Sequence, residues 1–79
     1  MNKTHRYIRQ VSGEHYAIEA VEGDRFSMTA YGEGIKPGDY LLLTENSQIV
    51  RYQIEQIDYY ADPPDLWVGL LIKCFEVQR

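Results

Sequence analysis

The sequence has few residues that could cross-link the chain or bind a metal: one cysteine and two histidines among 79 residues. Because Cys74 has no second cysteine to pair with, an intrachain disulfide is excluded, and a reducing, cytoplasmic setting is the expectation. A zinc site needs three or four converging ligands, and His5, His15 and Cys74 do not have the spacing of any such motif. We therefore expect neither a metal nor another cofactor.

Long hydrophobic runs are also missing. The longest apolar run near the C-terminus, Leu66 to Ile72, is much shorter than the roughly 20 residues that a membrane-spanning helix requires. The first residues of the chain lead into no apolar segment of signal-peptide length. The sequence thus predicts a protein that is neither exported by a signal peptide nor embedded in a membrane.

Positive charge is scarce, since eight Lys and Arg residues stand against twelve Asp and Glu residues, for a net charge of −4. A charge of this sign repels nucleic-acid phosphates and anionic lipid surfaces, so nucleic acid is a disfavoured partner. One stretch is an exception: Lys3, Arg6 and Arg9 all precede the first acidic residue, Glu14.

Aromatic residues, in contrast, are plentiful, with seven Tyr, two Phe and one Trp. Such bulky side chains favour pleated sheets and fill small cores. A chain of this length can bury only one core, so residues 1–79 are predicted to form a single, mainly β domain.

The hydrophobic pattern predicts six strands, several of which alternate bulky and polar residues and are separated by turn residues. A glycine-rich loop over residues 31–39 divides the first three strands from the rest. We expect a small, partly open antiparallel barrel of SH3-like or PUA-like architecture. Its strands are predicted at residues 6–11, 15–21, 25–30, 40–43, 49–60 and 66–77.

The long fifth segment contains a change in its pattern. Its inward set switches from Val50, Tyr52 and Ile54 to Ile57 and Tyr59. Because side chains alternate strictly along a strand, such a switch of parity predicts a β-bulge, which would help the sheet to curl.

The last segment fits two structures. Asp62 followed by Pro63 could cap a helix over residues 63–78, along which apolar residues recur at helical spacing. Residues 66–77 are also apolar enough for a strand that is buried on both faces. We favour the strand because Gly69 weakens a helix and the preceding long strand needs a partner.

A short stretch resembles known small barrels. Lys36-Pro37-Gly38-Asp39, followed by the apolar run Tyr40 to Leu43, resembles the passage from loop to strand in PUA-like, ASCH-like and SH3-like domains. The resemblance implies a barrel in which Asp39 can hydrogen-bond nearby backbone before the strand begins. PUA-like and ASCH-like relatives often bind RNA through basic surfaces, whereas this chain is acidic, so no functional residue is carried over.

The candidate site is the densest group of acidic and aromatic residues. Catalysis by two carboxylates would need one of them to have a raised pKa, and neither histidine has a catalytic context, so we expect no enzyme. Aromatic side chains with a polar rim suit the recognition of a protein partner instead. The residues predicted to bind a partner are Tyr59, Tyr60, Asp62, Asp65 and Trp67.

The sequence therefore predicts a non-enzymatic, cytoplasmic protein-interaction module. Either an edge strand or the loop from Tyr59 to Trp67 would dock on another protein or on a second copy of the chain. The alternative is a barrel that binds RNA or single-stranded nucleic acid by stacking and charge. That alternative would use Arg6, Tyr7, Arg9 and Tyr16, although both tyrosines are equally good core residues.

Overall fold

A computed structural model describes residues 2–74, and within this range all regular structure is β. Six strands form one sheet in the order β1-β4-β5-β6-β3-β2, which is curled but not closed. The predicted all-β, six-stranded, open barrel-like fold is confirmed. The strands are β1 (Thr4–Arg6), β2 (Ala17–Glu22), β3 (Arg25–Tyr31), β4 (Tyr40–Glu45), β5 (Gln48–Tyr59) and β6 (Leu66–Cys74).

One pairing departs from the predicted antiparallel sheet, because β1 lies parallel to β4. The strand predicted at residues 6–11 is also wrong: β1 ends at Arg6, and the chain then folds on itself before β2. In that segment the N–H of Gly13 donates to the carbonyl of Tyr16, and the N–H of Val11 donates to the His15 ring. The first strand therefore joins the sheet beside β4 instead of forming a hairpin with β2.

The predicted bulge in β5 is confirmed. The register of β5 against β6 shifts between Ile54 and Gln56, which leaves Glu55 as the extra residue. Val50 and Ile57 both pack against the core, although one precedes and the other follows the shift. The bulge thus lets one long strand keep its apolar side chains inside while the sheet bends.

The C-terminal segment is a strand from Leu66 to Cys74, so the helix alternative is wrong for these residues. The central position of β6 explains the outcome, since it pairs with β5 on one side and with β3 on the other. The remaining residues of the predicted helix, 75–78, lie outside the described part of the chain.

The core lies on the concave side of the curled sheet. The Trp67 indole ring packs against Gly69. A Cβ added at Gly69 would lie 3.0 Å from this ring and 2.9 Å from the Gln56 carbonyl oxygen. A glycine is therefore required beneath this ring. The largest fully buried side chains are Met28, Leu41, Leu43, Tyr52, Ile54, Trp67 and Leu71.

The two ends of the sheet approach each other through tyrosines. The Tyr7 hydroxyl donates to the carbonyl of Tyr31 at 2.6 Å, and the Tyr7 ring meets Tyr16 edge to face. These contacts connect the segment after β1 with the end of β3, although β1 and β2 themselves make no contact in the described chain.

Asp39 is a buried carboxylate that fixes β1 to the loop before β4. It is 3% exposed and accepts hydrogen bonds from the backbone N–H groups of Lys3 and Lys36. Its Oδ2 lies 2.8 Å from Nε2 of His5. Burial alone would raise the pKa of Asp39, but these hydrogen bonds outweigh it and hold the pKa below the ordinary value.

Replacing this carboxylate should weaken the fold. We expect Asp39→Asn to lower the free energy of unfolding by about 2 kcal/mol, because an amide accepts less strongly from the two N–H groups and from His5. Urea denaturation followed by Trp67 fluorescence measures the loss. Asp62→Asn, in an exposed turn, is the matched control, and equal stabilities of the two variants would contradict the role of Asp39.

The same carboxylate should make the free energy of unfolding depend on pH in the acidic range. A depressed folded-state pKa contributes stability that is present above the ordinary value of 3.8 and is lost as pH falls through the lowered pKa. The difference in free energy of unfolding between the wild type and Asp39→Asn should therefore shrink as the pH falls through this acidic range. Denaturation midpoints for both proteins in a pH series test this, and a constant difference down to the lowest pH would contradict it.

Candidate functional site: an apolar column on the outer face

Strand β6 carries apolar side chains on both of its faces. The Trp67 and Leu71 side chains point into the core and are fully buried, and Gly69 lies between them on the same face. The alternate residues point to the convex side and are only half-buried. We call these residues the outer column: Leu66, Val68, Leu70 and Ile72.

The flanking strands place mainly polar side chains beside the outer column. On the β3 side Thr29 pairs with Val68, and Ser27 pairs with Leu70. On the β5 side Asp58 is opposite Val68, and Gln56 is opposite Leu70. The column is therefore a narrow apolar strip between two polar borders.

Two exposed tyrosines stand at one end of the strip. Tyr31 pairs with Leu66 across β3 and β6, and the N–H of Tyr60 donates to the carbonyl of Leu66 from the other side. Tyr31 is 54% exposed and Tyr60 is 45% exposed. The three residues form one row, which we call the tyrosine end of the outer column.

Shallow depressions flank the column where β3 places the small side chains of Ser27 and Thr29. One, of about 220 Å³, is lined by Ser27, Gln56, Asp58, Val68 and Leu70. The other lies between β2 and β3, has a volume of about 200 Å³ and is lined by Ala17, Ile18, Glu19, Ser27 and Thr29. The surface is thus ridged, and both depressions open to solvent.

At the end opposite the tyrosines, an ion pair crosses over β6. Nη2 of Arg25 on β3 lies 3.2 Å from Oε2 of Glu55, the extra residue of the β5 bulge. Both side chains are partly exposed, so the pair adds little stability. Its effect is to give this end of the strip a charged boundary.

The structure separates the predicted partner-binding residues. Tyr60 and Asp62 are exposed beside the tyrosine end, and Asp65 is half-buried with its carbonyl accepting the N–H of Gly32. Trp67 is fully buried, which corrects its predicted place at the surface. Because both faces of β6 are apolar, the pattern alone could not tell which set points inward.

Tyr59 holds a loop in place while its side chain stays 38% exposed. Its hydroxyl accepts the N–H of Ile35 at 3.0 Å and donates to the carbonyl of Gly32 at 2.7 Å. The Tyr59 backbone pairs with that of Trp67 at the end of the β5–β6 ladder. Tyr59 therefore ties the glycine-rich loop to the sheet next to the tyrosine end.

The residues of the nucleic-acid alternative are also divided. Arg6 and Arg9 are exposed and, with Ile8 and Gln10, line an open cleft. Tyr7 and Tyr16 belong to the core, where burial raises the pKa of both hydroxyls. Of the four residues predicted to bind nucleic acid, only the two arginines are therefore at the surface.

Sequence reasoning missed the outer column as a surface. The signal was present, because residues 66–77 were apolar enough for a strand that is covered on both faces. The structure describes one layer of sheet, and within residues 2–74 no second layer covers the outer face. Tyr31 was missed because it was assigned to the loop after β3.

Among residues 2–74, no three His, Cys, Asp or Glu side chains gather closely enough to hold a metal ion. Nowhere between residues 2 and 74 is there a helix with the length and apolarity of a bilayer span.

Comparisons of the chain with protein-family models, with curated proteins and with solved structures found no match. Function is therefore inferred from the geometry of the outer column and its surroundings.

Removing the Tyr59 hydroxyl should loosen the loop beside the tyrosine end. We expect Tyr59→Phe to lower the free energy of unfolding by about 1–3 kcal/mol, because it leaves one N–H and one carbonyl without their partner. Tyr60→Phe removes an exposed hydroxyl from the neighbouring residue and should change stability by less than about 0.5 kcal/mol. Chemical denaturation of both variants measures the difference, and a reversed order of stabilities would contradict the role of Tyr59.

Proposed function

We propose that this protein is a non-enzymatic protein-interaction module that docks the outer column and the tyrosine end on a partner protein. The single observation that carries the proposal is the line of four large aliphatic side chains on the convex face of the central strand. A row of this kind is normally covered by a second layer of structure.

Hydrophobic burial would drive the docking. Removing apolar surface from water contributes about 25 cal/mol per Å², and Val or Leu side chains gain about 1.5–3 kcal/mol when fully buried. Val68 and Leu70, at the middle of the column, are half-buried, so only the part of each side chain that still faces solvent can gain this energy. They are the expected centre of the interface.

The polar borders would supply specificity. Thr29 and Asp58 flank Val68 and can hydrogen-bond to the rim of a partner. Tyr31 and Tyr60 combine large apolar rings with hydroxyl groups, and tyrosine is among the residues that are enriched at protein interfaces. The combination of an apolar centre with a polar rim supports a protein partner over a fatty or aromatic small molecule.

The size of the face predicts a transient complex. The face is three strands wide, at about 4.8 Å per strand, and seven residues long, at about 3.3 Å per residue. It therefore measures about 14 by 23 Å. A stable interface usually buries about 800 Å² on each partner, which is more than this patch offers alone. We therefore expect the contact to be weak unless the partner also covers the tyrosine end and β2.

Making the column polar should abolish docking without unfolding the chain. The double variant Val68→Thr/Leu70→Gln keeps strand-compatible side chains at two half-buried positions, so we expect the free energy of unfolding to fall by about 1–2 kcal/mol while the chain stays folded. Ile49→Thr is the matched control, since Ile49 is 59% exposed at the β4–β5 hairpin, away from the column.

The measurement combines light scattering across a concentration series with mass spectrometry of proteins that are captured by each variant. Self-association or a captured protein that is lost in the double variant and retained in Ile49→Thr supports the proposal. Capture of nucleic acid, or the same proteins retained by all three chains, overturns it.

A further inference from the structure

The second strand forms a free edge of the sheet. Between residues 2 and 74, β2 contacts no strand other than β3. The side chains from Glu19 to Glu22 are exposed, with Val21 reaching 55% exposure. An edge strand of this kind can accept one more strand through its backbone.

The hydrogen-bond ladder shows which backbone groups are free. The N–H of Gly32 bonds the carbonyl of Asp65, and the N–H of Lys73 bonds the carbonyl of Asp24, so even-numbered residues of β3 bond to β6. Odd-numbered residues of β3 therefore face β2, because bonded and non-bonded pairs alternate in an antiparallel ladder.

Continuing the alternation identifies the open positions on β2. Glu19 and Ala17 pair with Ser27 and Thr29 and so bond to β3. Ile18 and Ala20 consequently direct both their N–H and C=O groups away from the sheet. Tyr16 continues this series, and its carbonyl is already bonded to the N–H of Gly13.

This edge lacks two of the features that block strand addition. Between Gln10 and Asp24 the chain contains neither proline nor lysine, the two residue types that commonly protect an edge. The bulge between Ala20 and Glu22 limits the open ladder to its first four residues. A short partner strand would therefore fit, whereas a long one would not.

Charge indicates which strand would be accepted. Residues 10–24 contain no Lys or Arg, and the four acidic residues in this stretch are Glu14, Glu19, Glu22 and Asp24. The neighbouring Arg25 is already bonded to Glu55. An acidic partner strand would be repelled, while a basic one would place its side chains beside Glu19 and Glu22.

We propose that the free edge of β2 binds a short, extended, basic segment of a partner protein as an added strand. The two N–H and two C=O groups of Ile18 and Ala20 bond the segment, and the acidic side chains select its charge. This edge is separate from the outer column, so a substitution that abolishes binding at one surface can leave binding at the other unchanged.

The test is an NMR titration of the folded chain with a short peptide of alternating lysine and threonine, capped at both ends. Saturable shifts and slowed exchange of the Ile18 and Ala20 amides are expected. Ala20→Pro removes an outward N–H without removing a bond to β3 and should weaken binding about tenfold or more. Ala20→Val keeps the N–H and is the matched control.

Two further arms complete the test. A peptide with glutamate in place of lysine should bind about tenfold more weakly or not at all, because it meets Glu19 and Glu22. The outer-column variant Val68→Thr/Leu70→Gln should bind the lysine peptide like the wild type. Unchanged affinity of a folded Ala20→Pro chain, or equal binding of both peptides, overturns the proposal.

Discussion

The structure depends on a strand that is apolar on both faces in a protein with only one described layer of sheet. Strand β6 pairs on both sides, so its backbone is satisfied and its position is central. Its inward side chains complete the core, with Trp67 lying over Gly69. The outward residues have no second layer among residues 2–74, and this imbalance is the physical basis of the proposed docking surface.

Buried polar groups fix the strands around this centre. Asp39 fastens β1 to the loop before β4 through the N–H groups of Lys3 and Lys36. Tyr52, fully buried in β5, donates its hydroxyl to Glu45 at the end of β4, and burial together with that carboxylate raises the pKa of Tyr52. Each of these groups has a hydrogen-bond partner, which offsets the cost of removing it from water.

The two proposed binding surfaces use different physics on one acidic domain. The outer column offers apolar area with little backbone hydrogen bonding, so shape and burial would select its partner. The β2 edge offers backbone groups beside carboxylates, so hydrogen bonding and charge would select there. Because β3 lies between them, a single partner could also span both by crossing Ser27 and Thr29.

Local rules predicted a large part of the fold. The switch of parity around Ile54 in β5 follows from strict alternation along a strand, and the register shift is found there. The polar residues Glu45 to Gln48 separate two apolar segments, and they form a two-residue turn at Asn46 and Ser47, both at positive φ. Asp39 bonds to nearby backbone, as expected of an aspartate that precedes a strand.

The sequence by itself determined the all-β class, five of the six strands, the bulge and the acidic, aromatic character of the chain. Only the tertiary structure decided that β1 lies parallel to β4, because distant segments pair through contacts that no local pattern encodes. It also decided that Trp67 is buried while Val68 and Leu70 face outward. Both faces of β6 are apolar, and the choice depends on which one the other strands curl around.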